Sequence, residues 1–251
     1  MSELAVWPVM AARTLRLTFR NLEALLITLL LPVMLMLLFV YLFGGAIETD
    51  APEYVTYAVP GVLILCASYG ASMTAVGVAD DMSKGIIDRF RSMDIGGPAL
   101  LSGHVTASAL RNLGSITAVF AVAFLIGFRP SAGLPAWLGT VGVLLAFIVA
   151  ISALSAAVGL LARSPEAASG FTFFVLFLPY PSSAFVPVDT MPDWLHGFAR
   201  NQPATPVIET VRGLLLDQPV GTRPWTALAW CAGILAVSVA LSGILFRRRT
   251  R

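Results

Sequence analysis

The sequence predicts an all-α membrane protein of about six transmembrane helices with an amphipathic interface helix at its N-terminus. Three observations carry that prediction. Of the 251 residues, 57% are hydrophobic and only 12% charged, about half the charged share of an ordinary soluble domain, and the mean hydropathy is +0.84. The apolar residues fall into runs near the ~20 residues needed to cross a bilayer, at 25–43, 57–79, 105–128, 137–162, 171–186 and 224–246. The basic residues segregate between alternate connections. No polar stretch is long enough for a second core, so residues 1–251 read as a single transmembrane domain.

In chain order, residues 1–23 form the interface helix. Leu4, Trp7, Ala11, Leu15 and Leu22 fall on one side and Arg13, Arg16 and Arg20 on the other, the pattern of a helix lying in the headgroup plane; a simple extension of the first span is the alternative. The fifth apolar run is the shortest long candidate and meets Pro179-Tyr180-Pro181, so it stops early or bends back into the bilayer. With the N-terminus inside, twelve of the 16 basic residues collect on the inner face. Only Arg129, Arg200, Arg212 and Arg223 fall outside, which puts both termini in the cytoplasm.

Between the second and third spans lies a charged island, residues 80–97, expected as a cytoplasmic loop. At helical period Ile86, Phe90 and Met93 share one face and Lys84, Asp88 and Arg91 another, and Gly96-Gly97-Pro98 ends the helix. Such a short amphipathic helix suits a groove on a soluble partner, or a flat position on headgroups.

The spans carry small residues at four-residue spacing: Ala67, Ala71, Ala75 and Ala79 in the second, Ser152, Ala156 and Gly159 in the fourth. These let helices approach closely, within the chain or between copies. Ser164-Pro165-Glu166 reads as the start of the fifth helix. Residues 187–223 form an outer segment of re-entrant or capping helices. In its first helix, capped by Asp189 or Thr190, Met191, Trp194, Leu195 and Phe198 make an apolar stripe. In the second, 206–216, Glu209 and Arg212 mark the wetter side.

Chemistry is narrowed by omission. No acidic residue lies near the centre of a span, where an ion-coupled pump needs one, and Arg111 is close enough to the inner face to snorkel. His104 and His196 are not placed as relays. Lys84 follows no phosphate-cradling loop, so a working transporter here takes its energy from another chain. Cys66 and Cys231 lie in separate apolar runs, against a disulfide, thiol catalyst or metal site. The net charge of +2 is placed by topology rather than pooled, so no nucleic-acid partner is expected. No Ser-His-Asp set or paired carboxylate occurs in the spans, so the chain is not expected to be an enzyme, and no cofactor is expected on it. Phe171, Phe174 and Phe177 line a possible path for apolar substrates, with lipid-facing packing as the alternative.

Two runs carry a family resemblance. Gly-Val-Ala-Asp-Asp-Met-Ser-Lys-Gly-Ile-Ile-Asp-Arg-Phe-Arg-Ser-Met, residues 77–93, resembles the coupling-helix region of type-2 ABC exporter permeases. The run 182–216, with Ser-Ser-Ala-Phe-Val-Pro-Val-Asp-Thr-Met-Pro-Asp-Trp-Leu and Asn-Gln-Pro-Ala-Thr-Pro-Val-Ile-Glu-Thr-Val-Arg-Gly-Leu-Leu, is similar to the daunorubicin/doxorubicin-resistance-like branch. The resemblance implies a multi-pass permease of the bacterial plasma membrane that exports amphiphilic drugs, secondary metabolites or lipids. It implies a second permease copy, same or different, and two separate ABC ATPase subunits that hold ATP and Mg. Lys84, Gly85, Ile86, Ile87, Asp88, Arg89, Phe90 and Arg91 are then the residues that couple to the ATPase. The sequence departs from that pattern at Asp94, His104 and Ser108, where proline, arginine and an acidic residue are common. A membrane scaffold using the island as a binding module is the alternative function; an ion-coupled carrier is a weaker one.

Overall fold

The computed structural model describes residues 3–20, 22–47, 53–86 and 97–249. Among them are nine α-helices and no strand: α1 (Glu3–Arg20), α2 (Leu22–Leu38), α3 (Tyr54–Ser83), α4 (Gly97–Leu125), α5 (Leu134–Leu161), α6 (Pro165–Phe177), α7 (Asp193–Asn201), α8 (Ala204–Leu215) and α9 (Arg223–Arg249). The last turn of α2 widens into a π-helix, Phe39–Phe43. Among the described residues, five helices are long and apolar enough to cross a membrane: α2 with its π turn, α3, α4, α5 and α9.

α3 is the central post. Of its spanning window 78% is buried, against 17% for the first span and 11% for α9, and it touches α2, α4, α5, α6 and α8. Its composition explains the position. Ala67, Ala71, Ala75 and Ala79 are all buried, and a Cβ on Gly159 of α5 would lie 2.5 Å from the Ala75 carbonyl oxygen. In lipid, helix association depends on such close backbone approach rather than on expelling water. The small-residue stripes are thus used for packing within the chain. α1 lies along α4 in the same way: Met10 and Ala11 are buried, and a Cβ on Gly103 would meet Met10 Cβ at 2.7 Å.

α6 begins as expected, with Ser164 Oγ accepting from the Ala167 N–H at 3.2 Å. It ends at Phe177 rather than running on to 186, and its 13 residues cover about 20 Å, short of the ~30 Å hydrocarbon core. The chain then folds back. Ser182, Ser183, Ala184 and Phe185 are buried, Tyr54 Oη donates to the Phe185 carbonyl at 2.9 Å, and the Phe185 ring stacks on Phe39 at 4.0 Å. Gly61 makes room for this turn, because a Cβ there would lie 2.5 Å from the Ala184 oxygen.

Three boundaries correct the sequence expectation. Asp80 and Asp81 belong to α3, not to a loop, since Asp81 is buried and Asp80 pairs with Lys84 one turn on, at 2.7 Å. Gly97 and Pro98 open α4 instead of closing the preceding segment, as a proline fits a first helical turn. α7 starts at Asp193 behind Pro192, with no side-chain cap: Asp189 is taken by Arg200, and Thr190 Oγ1 donates to the Pro187 carbonyl at 2.8 Å.

Gly159→Ala should destabilise the bundle by about 1–3 kcal/mol through overpacking against the α3 backbone, measured by thermal unfolding in micelles. Gly114→Ala, where a Cβ meets open space, should leave the midpoint unchanged or slightly higher.

Candidate functional site

The end of the bundle carrying α1 is organised by one carboxylate. Asp81 sits in the last turn of α3 with its side chain 6% exposed. Arg13 of α1 grips it with both ends of its fork, Nη1 to Oδ2 at 2.8 Å and Nη2 to Oδ1 at 2.9 Å, the strong bidentate arrangement. His104 of α4, also buried, donates Nε2 to Oδ2 at 3.0 Å. Asp81 in return raises the Arg13 pKa above its ordinary value, chiefly through that hydrogen bond. Three helices are therefore tied at a point three residues before Lys84.

From there the chain passes straight into residues 84–91, the stretch expected to couple to a partner. The Lys84 N–H donates to the Asp80 carbonyl at 3.1 Å and the Gly85 N–H to Met82 at 3.1 Å. Gly85 then adopts φ +65°, the left-handed conformation that glycine supplies at a helix end. Of the coupling residues, Lys84, Gly85 and Ile86 are described, with Lys84 well exposed. Ile87, Asp88, Arg89, Phe90 and Arg91 lie outside the described residues, as does Asp94.

Above the Asp81 cluster a polar layer crosses the bundle. Ser152 Oγ of α5 donates to Ser108 Oγ at 2.9 Å, and Asn112 Nδ2 donates to the Ser108 carbonyl at 2.9 Å. Arg111 reaches the Gly70 carbonyl through Nη2 at 2.8 Å and Thr18 through Nη1 at 3.4 Å. Arg111 does not snorkel; it is anchored inside the protein, where α1 covers it. Gly70 is needed here, since a Cβ would fall 2.1 Å from Asn112 Oδ1. His104 and Ser108, two of the positions that depart from the resembled pattern, lie one turn apart on α4 and both feed this polar interior.

The remaining sequence candidates do not converge. Phe171 turns inward against the core, whereas Phe174 and Phe177 are 75% and 49% exposed, and the Phe173 and Phe177 rings pack at 4.6 Å, tilted by 44°. On α7, Trp194 and Phe198 are 81% and 55% exposed, Leu195 is half-buried and Met191 lies before the helix. Sequence reasoning missed Asp81, Arg13 and Arg212 as site residues. Arg212 was expected on the wet side of α8; it is turned inward instead, over the Tyr57 ring at 3.7 Å, with Nη2 on the Tyr57 carbonyl at 3.0 Å. Pro60 is no signal for it, because a helical proline frees the carbonyl four residues back, Thr56, and not that of Tyr57.

A family model described as ABC-2 type transporter matches residues 6–216. The chain is 32% identical over 224 residues to the daunorubicin resistance ABC transporter permease protein DrrB1 of Streptomyces coeruleorubidus, covering 88% of this chain and 78% of that protein. It is 24% identical over 219 residues to the probable doxorubicin resistance ABC transporter permease protein DrrC of Mycobacterium tuberculosis, strain H37Rv, covering 87% and 79%.

Asp81→Ala should cost about 3 kcal/mol, the scale for removing one member of a buried charged pair. Arg13→Gln combined with Asp81→Asn should cost less than the sum of the single changes, a coupling read by unfolding each variant in micelles.

Proposed function

This chain belongs to the ABC-2 type transporter family, and we propose that it is the membrane-spanning subunit of an ATP-driven exporter of amphiphilic drugs, secondary metabolites or lipids. Two copies of a separate ATPase subunit bind ATP and Mg and dock on residues 84–91. A second permease copy, in the simplest case this same chain, completes the complex in the bacterial plasma membrane, with both termini in the cytoplasm. The daunorubicin and doxorubicin resistance named for the two relatives supports an amphiphilic cargo. The basic residues favour the α1 end as the inner one.

The observation that carries the reading is the continuity of α3. This helix of 30 residues, about 45 Å long, starts beside α8 and ends on the Gly85 turn that begins the coupling segment. It is tied by Arg13 and His104 just before that turn. Closure of the nucleotide-loaded ATPases pushes on 84–91, and a fastened helix passes the displacement along its length where a slack loop would absorb it. The apolar surface left open on α2 and on Phe173, Phe174 and Phe177 of α6 supports contact with the second copy.

Ile87→Asp and Phe90→Asp should each reduce co-purification with the ATPase, and the ATP turnover of the assembled complex, by roughly tenfold or more, because each puts a charge into an apolar contact. Unchanged assembly and turnover in both variants, with normal membrane insertion, would remove the docking claim. Drug accumulation in cells lacking the protein tests the cargo class.

A further inference from the structure

A polar cavity of about 550 Å³ opens at the α8 end, between the first turn of α3, the buried turn after α6, α8 and the start of α9. Its volume is in the range of small-molecule sites. Three arginines line it, from three different helices: Arg200, Arg212 and Arg223. Two of them are already answered by carboxylates on the same walls, Arg200 by Asp189 and Arg223 by Glu209 at 2.9 Å. Both are more than half exposed and form the rim.

Arg212 differs. Among the described residues no carboxylate comes within ion-pair distance of it. Its Nε and Nη2 donate to the Tyr57 carbonyl at 3.3 and 3.0 Å, and Nη2 also to the Ser183 carbonyl at 2.6 Å. Burial lowers its pKa, outweighing the opposing pull of Tyr57 and of Glu209, which is paired with Arg223. Beside it the Ser183 hydroxyl is buried and makes no hydrogen bond among the described residues. A buried polar group of this kind carries a cost until it finds a partner. The site has one cation and one hydroxyl to offer, while both nearby carboxylates are occupied.

We propose that this cavity binds the anionic head group of an amphiphile, its phosphate or carboxylate oxygens meeting Arg212 and the Ser183 hydroxyl. The rim arginines, each neutralised by its own carboxylate, admit the anion without themselves holding it. The apolar tail leaves along the side where Trp194 and Phe198 of α7 stand exposed. This inference does not depend on the transport reading, because binding needs neither the ATPase nor turnover.

The test is calorimetric titration of the purified full chain in neutral maltoside micelles with dihexanoyl-phosphatidylglycerol, dihexanoyl-phosphatidylcholine and inorganic phosphate. Phosphatidylglycerol should bind at a saturable site, phosphate more weakly and phosphatidylcholine not measurably. Arg212→Gln should weaken the phosphatidylglycerol site about tenfold or more, as loss of a charge-assisted bond does, and Ser183→Ala should weaken it several-fold. Glu209→Gln should tighten it several-fold by releasing Arg223. If Arg212→Gln fails to fold, the Ser183 and Glu209 variants decide, since neither removes a packing group. Equal affinity in all three variants and the parent, or equal binding of phosphatidylcholine, would overturn the site. Phosphate binding as tight as phosphatidylglycerol would overturn the amphiphile and leave a free-anion site.

Discussion

A carboxylate buried at the end of a membrane helix has to be met by charge from its neighbours, and that requirement shapes one end of this molecule. Hydrocarbon offers Asp81 no solvation, and a lone buried ion is costly by several kcal/mol. Arg13 arrives from α1 and His104 from α4 to meet it. The position of the amphipathic N-terminal helix follows from this: its apolar residues alone would let it rotate or slide along α4, while the bidentate fork holds it in one register. The Trp7 indole adds a second tie, donating to Thr106 Oγ1 at 3.0 Å.

The other end uses the same chemistry with a different partner. Arg212 there meets backbone carbonyls rather than a carboxylate, and α3 is held against α8 and the turn after α6. An arginine thus fastens each end of the central helix, one from α1 and one from α8. Between them α3 buries Val62, Leu63, Ile64 and Leu65 as well as its alanine stripe, so large and small side chains together pack its middle, and Arg111 ties it to α4 through the Gly70 carbonyl.

How much of this was legible in the sequence depended on the kind of signal. Span positions came through because length and apolarity are local properties; the five long helices lie within a few residues of the runs, except that α3 and α4 extend past theirs at the α1 end. Ser164 and the alanine stripe of α3 were readable for the same reason. Asp80 and Asp81 were not, because adjacent carboxylates look identical in sequence and only the fold decides that one turns inward while the other pairs along the helix. Arg212 failed similarly: helical period put it beside Glu209, but the inward pull came from carbonyls on α3 and on the turn after α6, distant in the chain. The apolar face of Ile86, Phe90 and Met93 was read from period alone, and Phe90 and Met93 lie outside the described residues.

Lys84 is the sole lysine in the 251-residue sequence, and it stands exposed at the exit of α3 with its Nζ 2.7 Å from Asp80. Every other side-chain cation is a guanidinium. Amine-selective acylation therefore has one side-chain target, at the exit of α3 beside the Asp81 cluster. A fluorophore attached there would report on that helix end with no cysteine to introduce and none to remove.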